Sequence, residues 1–160
     1  MKLYDQYPIP TGIVEFIGWV DGKMVLYEKD HNVVTYAARS RHNFASAGEV
    51  SISPISHLAV GTGGYGSQPV DSTQKPPAAD PNATGLRTEI YRKPIITPIN
   101  HTTQLSSVYT ISLGPNEVLN AQLTECGLFT ESGMLYAIRH FKPVSKIERM
   151  ILDIRWTLLY

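Results

Sequence analysis

The sequence predicts a mainly β protein: an antiparallel β-sandwich with one inserted helix at about 32–46 and a long Gly/Pro-rich loop. Three observations carry this reading. Apolar and polar residues alternate from 150 to 160; several shorter β-branched and aromatic runs are bounded by turn signals; and in one early stretch the apolar period lengthens to three or four. The 160 residues fit a single domain, 1–160, and 42% apolar content is enough for a packed core.

The elements follow in chain order. Residues 1–11 are polar, contain Pro8 and Pro10, and read as an N-terminal arm without the apolar core of a signal peptide. Residues 12–28 read as a hairpin. Gly12 to Val20 is β-rich, Asp21-Gly22 suits a two-residue turn because Gly tolerates positive φ, and Lys23 to Glu28 returns. Val33, Val34, Ala37, Ala38, Arg41, Phe44 and Ala45 then recur at helical spacing. Asp30 or Asn32 is placed to cap this helix and Gly48 to end it, with Arg39, His42 and Asn43 on the more exposed side. Its β-branched start lowers helix propensity, so packing must hold it.

Strand signal resumes at Ile55 to Val60. A run over 88–99 is broken by Pro94 and Pro98, which favours a sheet edge. Leu105, Ser107, Tyr109, Ile111 and Leu113 share one strand face. Residues 123–130 and 133–141 flank the turn Glu131-Ser132-Gly133. In the last run Met150, Leu152, Ile154, Trp156, Leu158 and Tyr160 point one way, and Asp153, Arg155 and Thr157 the other. Between the strands lies the loop 61–85, rich in Gly and Pro and without apolar period. Two readings stay open for it: an extended arm that reaches a neighbouring subunit, or a mobile surface loop.

Motifs for chemistry are scarce. Fourteen basic residues balance fourteen acidic ones, which argues against a nucleic-acid binder. The cluster Arg39-Ser40-Arg41-His42 is expected to meet a carboxylate of this chain or a neighbour. No apolar stretch is long enough for a membrane helix. The single Cys126 rules out an internal disulfide framework and reads as a small buried hydrophobe sharing a face with Leu128. Gly61-Thr62-Gly63-Gly64-Tyr65-Gly66 matches the glycine spacing of dinucleotide sites, but Pro69 and polar residues follow where a helix must open. The histidines at 31, 42, 57, 101 and 140 lack metal-ligand spacing. Ser145-Lys146 fits a turn. Glu15, Glu89, Glu117 and Glu125 form no carboxylate pair for hydrolysis. The expectation is therefore no enzyme, with no catalytic residue, cofactor or metal.

Several phrases in order resemble small structural proteins of tailed bacteriophages. They are Ile55-Ser56-His57-Leu58-Ala59-Val60-Gly61-Thr62-Gly63, then Leu86-Arg87-Thr88-Glu89-Ile90-Tyr91-Arg92, then Leu123-Thr124-Glu125-Cys126-Gly127-Leu128-Phe129. Leu135 through Lys146 and the closing Trp156-Thr157-Leu158 complete the pattern, which covers roughly residues 30–160. The resemblance implies a structural virion subunit of the neck, collar or tail, built on a β-sandwich and assembled in the host cytoplasm. Its expected partners are copies of itself, as a homo-oligomer, and other phage neck or tail proteins, with fibre attachment as one role. The hairpin 12–28 lies outside the shared pattern and is a candidate docking element. The alternative is a receptor- or glycan-binding module at a tail or fibre tip, with Trp19, Tyr27, Tyr65, Tyr91 and Tyr109 as sugar-stacking faces.

Overall fold

The structure is a computed structural model that describes residues 11–160. It contains two five-stranded antiparallel sheets facing each other across one core. The arm expected at 1–11 lies outside the described residues, except for Thr11, which opens the first strand.

The first strand, β1 (Thr11–Val20), turns through Asp21-Gly22 into β2 (Lys23–His31). Both turn residues have positive φ, +50° and +75°, the mirror-image turn whose twist suits a hairpin. The next apolar residues do not start a helix. Val33–Val34 form a short strand, β3, paired with Ile138 and Ala137. The helix α1 spans Tyr36–Ser46, and its cap is Thr35, whose Oγ1 accepts the Ala38 N–H and donates to the Leu135 carbonyl. The expected start near 32 and the caps Asp30 or Asn32 are therefore corrected. β-branched valines favour extended pairing, and the hydroxyl after them satisfies an otherwise open helix donor. The shift also turns the helix. Ala38 is buried and His42 half-buried, with Nε2 2.6 Å from the Tyr136 hydroxyl, whereas Ala37, Arg41 and Phe44 face outward. Gly48, at φ +76°, follows the Ala47 cap.

The chain continues through β4 (Ile55–Gly61), β5 (Glu89–Pro94), β6 (Ile96–His101), β7 (Ser106–Leu113), β8 (Gln122–Thr130), β9 (Leu135–Ser145) and β10 (Ile151–Leu159). One sheet runs β2-β1-β10-β7-β6 and the other β3-β9-β8-β4-β5. The run 88–99 is thus two strands. The chain crosses between sheets at Ile95, and each strand lies at the edge of its own sheet, where a Pro without an N–H is tolerated.

The core takes Val14 and Phe16 from β1, Ile111 and Leu113 from β7, and Leu58, Leu128 and Phe141 from the facing sheet, with Phe16 and Phe141 ring centroids 4.3 Å apart. Leu152, Ile154, Trp156 and Leu158 of β10 are fully buried, following the alternation. Two residues leave the expected pattern. Tyr160 is 44% exposed beyond the strand end, and Leu105 precedes β7 at φ +48° and is also exposed. Cys126 is fully buried with Leu128, and burial pushes its thiol well above the ordinary range.

Candidate functional site

The two outer faces of the sandwich are treated differently. That of the β3-β9-β8-β4-β5 sheet is closed by this chain's own loop. The two ends of the 61–85 loop pack back onto that sheet, while residues 66–75 between them are mostly exposed. Ala79 packs with Ala59, Phe129, Leu135 and Ile138 in a second apolar cluster, against which Ala83 and Leu86 also lie. The Tyr65 hydroxyl bonds the Asp71 and Gln74 carbonyls, and the Tyr36 N–H donates to the Pro81 carbonyl. Small and isolated apolar residues, with no period of their own, serve as the lid of a sheet.

Glu125 anchors that lid. It is fully buried; Oε1 accepts the backbone N–H of Gly63 (2.9 Å) and of Thr88 (2.7 Å), and Oε2 accepts that of Arg87 (3.0 Å). Both ends of the loop are therefore tied to one carboxylate. The glycine cluster permits the approach. A Cβ on Gly61 or Gly63 would stand 2.6 or 2.7 Å from Glu125 Oε1, and one on Gly64 would stand 2.1 Å from the Thr124 carbonyl oxygen. The glycine spacing lets the loop backbone approach β8 closely. His140, also buried, donates from Nδ1 to the Pro77 carbonyl, and Nε2 lies 3.8 Å from Glu125 Oε2. Burial holds its pKa below the ordinary histidine value.

The other outer face, on the β2-β1-β10-β7-β6 sheet, carries no such cover among the described residues. Strand register aligns Lys29, Glu15, Arg155, Thr110 and Ile96 in one row across it. The next row is Tyr27, Ile17, Asp153 and Ser112, and on the other side stand His31, Ile13, Thr157, Val108 and Ile99. Ile96 and Ile99 are each 57% exposed, and Met24, Tyr27 and Ile151 are also exposed. The aromatic polar atoms bond within the face: Tyr27 donates to Glu15 Oε1 (2.7 Å) and Trp19 Nε1 to Asp153 Oδ2 (3.0 Å). Their apolar surfaces are left outward.

No family model, curated protein or solved structure matches this chain.

The sugar-stacking candidates are dispersed. Trp19 and Tyr27 share the open face. Tyr65 is buried in the loop, Tyr109 is in the core, and Tyr91 bonds Glu117 on the other sheet. Lys93, Tyr91 and the Gly114 N–H together hold the Glu117 carboxyl down at about 2. That carboxylate is an ion-pair anchor between β5 and the turn after β7. Burial pushes the hydroxyls of Tyr109 and Tyr160 up to about 12, so they stay protonated; although its side chain is nearly half exposed, Tyr160 directs its hydroxyl toward Tyr109 and Tyr136. The buried Lys146 ammonium donates to the Met150 carbonyl, which fits the turn role. Arg39 lies over the Tyr36 ring, 5.5 Å from its centroid, and no carboxylate among the described residues pairs with Arg39 or Arg41. His57 accompanies Ser56 Oγ at 2.8 Å, and no group of three His, Cys, Asp or Glu residues able to hold a metal forms among the described residues.

The open face was missed from sequence. A signal was present in β1, where Ile13, Ile17 and Trp19 alternate with Val14, Phe16 and Gly18. A strand apolar on both sides is characteristic of one covered on both sides.

Proposed function

We propose that this chain is a non-enzymatic structural subunit of a tailed-bacteriophage virion, which assembles in the neck, collar or tail through the outer face of its β2-β1-β10-β7-β6 sheet. The carrying observation is β1: apolar on both sides, packed in the core on one, while on the other Ile17 is buried among its own neighbours and Ile13 and Trp19 stay partly exposed. A mixed apolar face of this extent marks a surface for another protein more than a solvated one. The resemblance noted in the sequence supports the same reading. Two of its phrases, one ending at Gly63 and one containing Glu125, meet at the loop anchor, which supports a role for them in holding the fold. Other virion proteins and further copies of the chain are the proposed partners, with fibre attachment as one consequence of such a position.

A receptor- or glycan-binding module is the second reading, favoured only by Trp19 and Tyr27 on the open face. Quantitative mass spectrometry and antibody labelling of purified particles test the proposal. A fixed copy number and a label at the neck or tail are expected. Absence from the particle contradicts it, and a glycan-array signal blocked by Trp19→Ala would move the weight to the second reading.

A further inference from the structure

We infer that the open face pairs with the same face of a second copy about a two-fold axis running between β1 and β10, with each Glu15 set over the partner's Arg155. The inference rests on the structural reading above and adds the occupant and the geometry.

Charge chooses the occupant. The face carries Lys29 and Arg155 against Glu15 and Asp153, so it is neutral, and opposite charges are neighbours in the register: Glu15 stands between Lys29 and Arg155. A two-fold between the two strands exchanges their positions. It brings Glu15 over Arg155 and Lys29 toward the β7 side, where Thr110 and Ser112 carry no charge. No like charges meet in the centre. A face dominated by one sign would repel its own copy; this one is its own complement. Arg155 is exposed and has no carboxylate partner among the described residues, and Glu15 accepts only the Tyr27 hydroxyl, so both groups have bonding capacity left.

Geometry favours face over edge. The edge strand β6 contains Pro98, and its pairing with β7 shifts register between Ile96 and Ile99. The edge strand β2 carries Lys23 and Lys29, and its register shifts at Gly18/Trp19 of β1. Proline, lysine and bulges are the devices by which edges avoid adding a strand. The face has the needed extent: five strands at about 4.8 Å spacing and about eight residues at about 3.4 Å rise cover on the order of 650 Å² per copy, close to the ~800 Å² per partner of a stable interface. Two such sheets pack about 10 Å apart with their strands nearly aligned.

The test is charge reversal on the full-length chain, read by light scattering and sedimentation well above micromolar concentration, with circular dichroism and thermal unfolding to verify the fold. The wild type is expected at twice the monomer mass. Glu15→Arg or Arg155→Glu alone should weaken dimerisation by about tenfold or more, and the double reversal should restore it. Arg155→Glu changes an exposed side chain and folds independently of the outcome for Glu15→Arg; if the latter does not fold, Arg155→Glu is compared with wild type across a salt titration. An oligomer unaffected by either reversal overturns the two-fold pairing and leaves the virion reading intact. A monomer at every concentration overturns it too, and particle composition then judges the virion reading separately. A dimer obeying the reversal pattern, in a chain absent from particles, sustains this inference and removes the virion reading.

Discussion

Glu125 Oε1 accepts the Gly63 backbone N–H at 2.9 Å, a bond spanning 62 residues of sequence. That bond and those from Arg87 and Thr88 make one buried carboxylate the closure point of the longest loop. Glu125→Ala leaves three backbone donors without their acceptor and is expected to cost about 3 kcal/mol or more in urea unfolding, since buried donors left unpaired lose their full desolvation energy. Gly63→Ala and Gly64→Ala should each cost at least about 1–3 kcal/mol by overpacking, Gly64→Ala the more because its Cβ would stand only 2.1 Å from the Thr124 carbonyl oxygen, against 2.7 Å for the closest approach at Gly63. Wild-type stability in all three variants would mean that the loop is not anchored there.

The loop itself should prove structural. Replacing residues 64–83 with a short Gly-Ser linker uncovers Ala59, Phe129, Leu135 and Ile138. Loop shortening alone changes closure entropy by only about 0.6 kcal/mol per halving, so a larger loss reports the missing cover. The expected result is a lower melting temperature and binding of a hydrophobic dye; an unchanged melt would return the loop to the role of a free arm.

Leu152→Ala and Ile154→Ala each empty a fully buried site in β10 and should cost about 2–5 kcal/mol. Trp156→Phe and Trp156→Ala should each cost less than the lost volume alone predicts, because the buried indole N–H has no acceptor among the described residues and its removal abolishes a polar penalty. Chemical denaturation of the four variants checks both statements.

Stability should fall on mild acidification. His140 has a folded-state pKa below its unfolded value of about 6.5, so the unfolded chain binds the proton more readily. Its contribution is complete above the unfolded pKa and is lost as pH drops toward and through the lowered folded one. His42, also lowered by burial, adds in the same direction. Glu117 acts in a separate window: its stabilisation is present above the usual carboxylate pKa and disappears as pH falls toward about 2. Melting curves from pH 8 to pH 5 should show a decline that His140→Gln reduces; an identical slope in that variant would remove His140 as the cause.

The sandwich was legible in the sequence because its signals are local. Alternation in β10 and the Asp21-Gly22 turn depend on neighbours a few residues away. The helix start was misplaced because Val33–Val34 satisfies a helical period as well as a strand one, and only pairing with Ile138 and Ala137 decides between them. The loop was misjudged for a similar reason. Glu125 in a strand and glycines near 63 each have ordinary local explanations, and their joint meaning exists only once β8 and the loop are adjacent. The glycine cluster was the visible trace of that contact. The open face was legible in part, through Ile13, Ile17 and Trp19, but which side of β1 lacked a cover depended on where the loop folded.

Thiol labelling tests most directly whether the outer face of the β2-β1-β10-β7-β6 sheet is the assembly surface. Cys126 is buried and should not react, so Thr110→Cys on that face and Ser40→Cys on α1 each supply one accessible thiol. Maleimide labelling rates are compared between dilute and assembled protein. Labelling at position 110 should slow by about tenfold or more on assembly while that at position 40 stays constant, as expected where a partner excludes solvent from an interface core. Equal labelling at position 110 in both states, or protection at position 40 alone, would contradict the assignment of the open sheet face as the assembly surface.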